Sequence, residues 1–135
     1  MASKVLITIA TLMYAVLGIL ADANPTHLLN PEWTPHARLH MAWLLGTFFS
    51  LGILSLVVLW KFDQVLLSAL IGLGIAAGFW ISIATLNLYG GSLADPGSPD
   101  TSVFGIEGNV LSILIITALL IAGIVLKDRS HTGAQ

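Results

Sequence analysis

The side chains best suited to chemistry cluster between Asn24 and Trp43, where Asn24-Pro25-Thr26-His27 is followed by Asn30-Pro31-Glu32-Trp33-Thr34-Pro35-His36-Ala37-Arg38-Leu39-His40. Pro35 is suited to the first position of a helix, with Thr34 as the N-cap. On that helix His36 and His40 stand four residues apart and share a face that continues through Trp43 and Thr47, while Arg38 points elsewhere. An imidazole in such a setting can be an axial ligand, a metal ligand or a proton shuttle. The alternative is a structural histidine, hydrogen-bonded to its own loop or to Glu107. Arg38 can pair with Glu32, Asp22 or Glu107, bind a lipid phosphate, or hold the carboxylate of a cofactor.

A second group of polar residues lies at the corresponding ends of later apolar segments: Asn87, Tyr89, Glu107, Asn109 and Ser112. Asn109 and Ser112 share one helical face, and Ser82, Thr85 and Tyr89 share another. If both faces turn inward they form, with His36 and His40, a polar-ended pocket for a small apolar ligand. Zinc held by His36 and His40 with Glu107 or His27 is geometrically possible. Bis-histidine haem needs ligands from facing helices, so a second histidine has to come from a neighbouring subunit. The chain has no cysteine, which excludes disulfides, thiolate metal sites and cysteine catalysis.

The elements that must position these residues are read from composition. Of the 135 residues, 56% are hydrophobic and only 9% are charged, against roughly 25% charged in an ordinary soluble domain. Four apolar runs cover residues 5–21, 39–60, 65–89 and 109–126, each within the roughly 17–25 residues that span a bilayer core. The expected fold is all-α, a single four-helix transmembrane domain over residues 1–135. Lys4, Lys61, Lys127 and Arg129 fall on one side and Arg38 on the other, which makes the first side cytoplasmic with both termini inside. Lys4, the apolar run and Ala21-Asp22-Ala23 also read as a cleavable signal peptide. Thr11, Tyr14 and Gly18, spaced as a packing stripe, favour a retained helix.

Residues 61–64 are too few for anything but a tight helical hairpin. The two loops on the opposite side, residues 22–38 and 90–108, are long enough to form a mouth together. Gly72, Gly74 and Gly78, with Ser68 and Ser82, allow close helix approach within one chain or between copies, so a homo-oligomer is expected. The net charge of −2 and the lack of a basic stripe exclude nucleic acid as a partner. The expected location is a multi-pass position in a bacterial inner membrane or its equivalent, with the lipid bilayer as solvent.

Three features resemble the styrene oxide isomerases, four-helix membrane enzymes that rearrange epoxides to aldehydes. These are Pro31-Glu32-Trp33 followed by Ala37-Arg38-Leu39-His40, then Phe104-Gly105 with Gly108-Asn109 and Ser112, and the layout of four spans with long outer loops. The resemblance implies haem b bound through His40, with Arg38 close to the cofactor and Asn109 and Tyr89 acting on the substrate. It also implies an apolar substrate that enters from the membrane, and a ferric haem acting as Lewis acid toward the epoxide oxygen. This chain inserts Thr34-Pro35-His36 before the Ala-Arg pair, carries Gly46 where the family has asparagine, and has no tyrosine inside the third span, the nearest position being Thr85, or Tyr89 with a slip of register. The expected function is a membrane enzyme for a small apolar substrate, most concretely an epoxide isomerase. The alternative is a non-catalytic accessory or transport subunit that binds a partner or lipid through its outer loops.

Overall fold

The computed structural model of the chain describes residues 1–94 and 102–132, with side chains as far as Lys127. It is all-helical. Four helices are long and apolar enough to cross a membrane: α1 (Ala2–Asp22), α2 (Pro35–Trp60), α3 (Val65–Ala84) and α4 (Gly108–Thr132). α1 packs along α4, α4 along α3, and α3 along α2, while α2 closes the ring against the middle of α1.

Local sequence explains where each helix begins and ends. α2 starts at Pro35 because Thr34 Oγ1 accepts the backbone N–H of Ala37 at 3.2 Å and the proline occupies the first turn. The third apolar run continues to residue 89, but the helix breaks at Thr85 (φ −106°, ψ 7°). Thr85 Oγ1 donates back to the Ile81 carbonyl at 2.8 Å, a bond of the kind that competes with the helical ladder and bends it. One further turn, Leu86–Tyr89, ends at Gly90 in the left-handed region (φ 68°).

The α2–α3 hairpin turns through residues 61–64, with Asp63 at φ 55°. Lys4 at the start of α1 grips this turn through an Nζ–Oδ1 contact of 2.7 Å with Asp63 and lies 5.2 Å from the Trp60 ring centre. The lysine ammonium, as hydrogen-bond donor and as charge, holds the Asp63 carboxyl below its ordinary value.

The main buried cluster lies toward the hairpin end of the bundle, the end carrying Met1 and residues 61–64. Ile7, Ala10, Tyr14, Leu59, Ala69 and Leu120 form its core. Small residues bring the backbones together there. A Cβ on Gly52 would collide with the Ala15 methyl; one on Gly72 would lie 2.9 Å from Leu120 Cδ1, and one on Gly123 would lie 2.7 Å from Ile7 Cγ1. Ser3 Oγ donates to the Gly123 carbonyl at 2.6 Å. Ser55 Oγ meets Ser68 Oγ at 2.7 Å and Thr11 Oγ1 at 3.4 Å, tying α1, α2 and α3 at one fully buried point.

Toward the other end Gly74 and Gly78 on α3 no longer face a neighbour. A Cβ on Gly74 or Gly78 would meet nothing within 4 Å. The helices therefore leave open space between them at the end that carries the long loops.

Candidate functional site

That space is a cavity of about 890 Å³. α1 contributes Met13, Tyr14, Leu17, Gly18, Ala21 and Asp22 to its wall, and α2 contributes Leu44, Phe48 and Leu51. α3 adds Leu70, Ile71, Gly74, Ile75, Gly78, Phe79 and Ser82, and α4 adds Asn109, Ser112, Ile113 and Ile116. The wall is apolar over most of its length. Asp22, Ser82, Asn109 and Ser112 mark the end nearest the long loops. The volume lies within the roughly 300–1,000 Å³ typical of small-molecule sites.

Most polar groups at the mouth have their own bonds. Ser82 Oγ donates to the Gly78 carbonyl at 2.9 Å, and Ser112 Oγ to the Gly108 carbonyl at 2.8 Å. Asn109 Nδ2 donates to the Leu93 carbonyl at 3.1 Å, while its Oδ1 accepts the Val110 N–H at 2.7 Å. Asn109 thus fastens the second long loop to the start of α4. The first long loop is held by Asn24 Oδ1, which accepts from the Thr26 N–H at 2.8 Å, and by Asn30 Oδ1, which accepts from the Glu32 N–H at 2.9 Å. The asparagines that mark this loop as polar in the sequence shape its turns.

At the inner part of the cavity the first helix changes its winding. Met13–Leu17 forms a π turn, in which the Gly18 N–H donates to the Met13 carbonyl. Tyr14 lies within this turn, its side chain 4% exposed, and its ring edge passes between the two glycines of the neighbouring helices. A Cβ on Gly72 would come within 3.2 Å of Tyr14 Cε1, and one on Gly52 within 3.7 Å of Cε2. The Tyr14 hydroxyl is enclosed and has no hydrogen-bond partner among the described residues.

The histidines lie elsewhere. His36 and His40 sit on an exposed face of α2, with their Nε2 atoms 3.0 Å apart and their rings edge to face. That approach requires one imidazole to donate and the other to accept. The His40 ring lies nearly parallel to Trp43, with centres 6.1 Å apart. Below them, Trp43, Gly46, Thr47, Ser50 and Leu51 line a shallow groove along the same helix. Arg38 projects from another side of α2 and makes no ion pair among the described residues. His27 binds Thr26 Oγ1 through Nδ1 at 2.7 Å and meets Trp33 edge on. No group of three or more metal-ligating side chains assembles among the described residues.

Of the residues singled out from sequence, Ser82, Asn109 and Ser112 converge on the cavity. His36, His40, Arg38 and Tyr89 are not among its wall residues. Tyr89 is 58% exposed, and its hydroxyl donates to the Ser82 carbonyl at 2.8 Å, which finishes the end of α3. Tyr14 and Asp22, which do reach the cavity, carry only a weak sequence signal. Tyr14 belongs to a small-residue stripe that reads as packing, and Asp22 reads as the boundary of a span. Compared with family models, curated proteins and solved structures, the chain finds no match.

Proposed function

We propose that the chain is a multi-pass membrane protein that takes a small apolar molecule with one polar group from the bilayer into the cavity between its helices. The observation that carries this reading is the cavity itself, apolar along its wall, polar at its mouth and bounded by all four helices. Its surroundings support a lipid solvent. Leu20, Leu39, Trp43 and Ile81 are more than 60% exposed on the outer faces, a coverage that favours hydrocarbon over water. Both termini and the hairpin loop belong on the cytoplasmic side by the distribution of lysine and arginine.

The test is a thermal-stability titration of the purified protein with diphenylmethane, an apolar probe small enough for the cavity, beside a Gly78→Phe variant. Gly78 has free space where its Cβ would be, so the large side chain enters the cavity rather than a neighbouring helix. Stabilisation of the wild type and its loss in the variant are expected. Equal stabilisation of both contradicts the reading.

The catalytic version of this function is the epoxide isomerisation implied by the resemblance to styrene oxide isomerases, with Asn109 in the cavity wall and Tyr89 outside it. Its haem does not fit the residues of one chain. His40 is exposed and is not among the wall residues of the cavity, and its Nε2 is engaged by His36. No step through haem follows from this geometry.

A second reading is favoured by the histidine pair. Two exposed imidazoles whose Nε2 atoms converge to 3.0 Å are close to the arrangement that chelates one metal ion, and the described residues add no third ligand. A metal or haem held by His40 and His36 requires a second copy of the chain, or a partner protein, against this face of α2. Absorption spectra of protein expressed with ample haem, compared with His40→Ala, test it. A Soret band lost in the variant supports the reading; if haem and zinc loading are both unchanged in His40→Ala, the reading fails.

A further inference from the structure

We infer that the cavity takes apolar molecules carrying a protonated amine, and that the Asp22 carboxylate at its mouth holds the ammonium group. The inference rests on the cavity being a binding site and adds what that site recognises.

Among the described residues, Asp22 is the one charged residue on the cavity wall. It is half-buried, and its carboxylate makes no hydrogen bond or ion pair among those residues. His27 acts on it electrostatically but lies beyond ion-pair distance. The carboxylate oxygens are open to an incoming group, because Tyr14 Oη is the only unbonded side-chain polar atom sealed off among the described residues.

The helix aims the carboxylate inward. α1 runs from the hairpin end to the mouth, and helical side chains lean toward the N-terminus of their own helix. Asp22 stands one turn beyond Gly18 in the regular segment Gly18–Asp22, so its side chain leans back over that glycine. Gly18 is itself a wall residue, and a Cβ there would meet only the Met13 carbonyl, at 4.0 Å. The space beneath the carboxylate is therefore cavity rather than packed side chain. α1 also ends here, so the negative end of its dipole adds to the carboxylate within the last turn.

The neighbouring groups at the mouth offer lone pairs. Ser82 and Ser112 give their hydroxyl protons to backbone carbonyls one turn back, which leaves their oxygens free to accept. An ammonium group has three N–H donors and no acceptor, and so matches this set. A ligand carboxylate or phosphate would meet like charge. A half-buried carboxylate without a partner is costly to keep ionised, and a bound cation offsets that cost. Farther in, the wall is hydrocarbon, so the body of the molecule is apolar.

The experiment compares diphenylmethylamine, a cation at neutral pH, with diphenylmethanol, which carries a hydroxyl in place of the ammonium. Binding of each probe to the purified full chain in a neutral detergent is measured for the wild type, Asp22→Asn and Gly78→Phe. The wild type should bind the amine about 5–10-fold more tightly than the alcohol, the excess of a charged hydrogen bond over a neutral one. Asp22→Asn, which keeps the shape of the side chain, should lose that preference and still bind the alcohol. Gly78→Phe should bind neither. An Asp22→Asn variant that keeps the preference for the amine overturns the inference, as does a wild type that binds both probes equally. Binding of neither probe by the wild type, or undiminished binding by Gly78→Phe, instead removes the cavity site on which the inference stands.

Discussion

Gly52→Ala isolates the close approach on which the hairpin end of the bundle depends. The added Cβ would collide with the Ala15 methyl. Both groups are fixed to helical backbone and neither can rotate away, so α1 and α2 must separate. Separation also loosens the slot around Tyr14 and stretches the contact between Thr11 and Ser55, already 3.4 Å long. Overpacking of this kind costs about 1–3 kcal/mol. Alanine's better helix propensity offsets roughly 1 kcal/mol of that. Gly78→Ala supplies the control, because it makes the same exchange within a long helix where the new methyl meets nothing within 4 Å. Propensity cancels between the two variants, and the steric cost of about 1–3 kcal/mol remains as their difference. Unfolding in mixed micelles by titration with a denaturing detergent, followed by far-UV circular dichroism, measures it. Gly52→Ala should unfold at the lower detergent fraction. Two variants equal within about 0.5 kcal/mol would refute the packing described for this end, given that a real collision should exceed that spread.

Other outcomes follow from the same contacts. Ser55→Ala removes the hydroxyl linking Thr11 and Ser68 and should cost about 0.6–1.7 kcal/mol in the same titration, the range of hydrogen bonds between membrane helices. Asp63 has its pKa lowered by Lys4, so this pair adds stability at neutral pH that is lost as pH falls through and below the ordinary carboxylate range. The wild type should therefore lose more stability than Asp63→Asn between pH 6 and pH 3, read as two thermal-melt series. The chain lacks cysteine, so single cysteines report topology cleanly. In intact cells an impermeant maleimide should label Ser92→Cys and spare Phe62→Cys, and the reverse pattern would invert the orientation.

The four helices were legible in the sequence because their signal is compositional: long uncharged runs interrupted by proline, asparagine and charge. The Thr34–Pro35 start was legible too, since a cap and an N1 proline act through nearest neighbours. The break at Thr85 was not, because the surrounding run stays apolar through residue 89 and the bend depends on a single side-chain bond to Ile81. The cavity was half legible. Ser82, Asn109 and Ser112 could be grouped by helical period, but their convergence required knowing which faces of α3 and α4 meet. His36 and His40 were grouped correctly with each other, yet helical period, which also puts His40 nearly in line with the wall residues Leu44 and Leu51, could not say that they lie outside the cavity wall. Tyr14 was least visible. Its buried, unbonded hydroxyl follows from a π turn and from glycines on two other helices, none of which leaves a local pattern around residue 14.

Photo-crosslinking tests the central claim, a ligand cavity between the helices, most directly. Irradiated benzophenone inserts into nearby C–H bonds, and fragmentation of the labelled intact chain locates the insertion. The account predicts labels on cavity-wall residues such as Met13, Leu70 and Ile113, suppressed by excess unlabelled diphenylmethane and by Gly78→Phe. Labels confined to the outward-facing residues Leu20, Leu39 and Ile81, unaffected by competitor or variant, would contradict it.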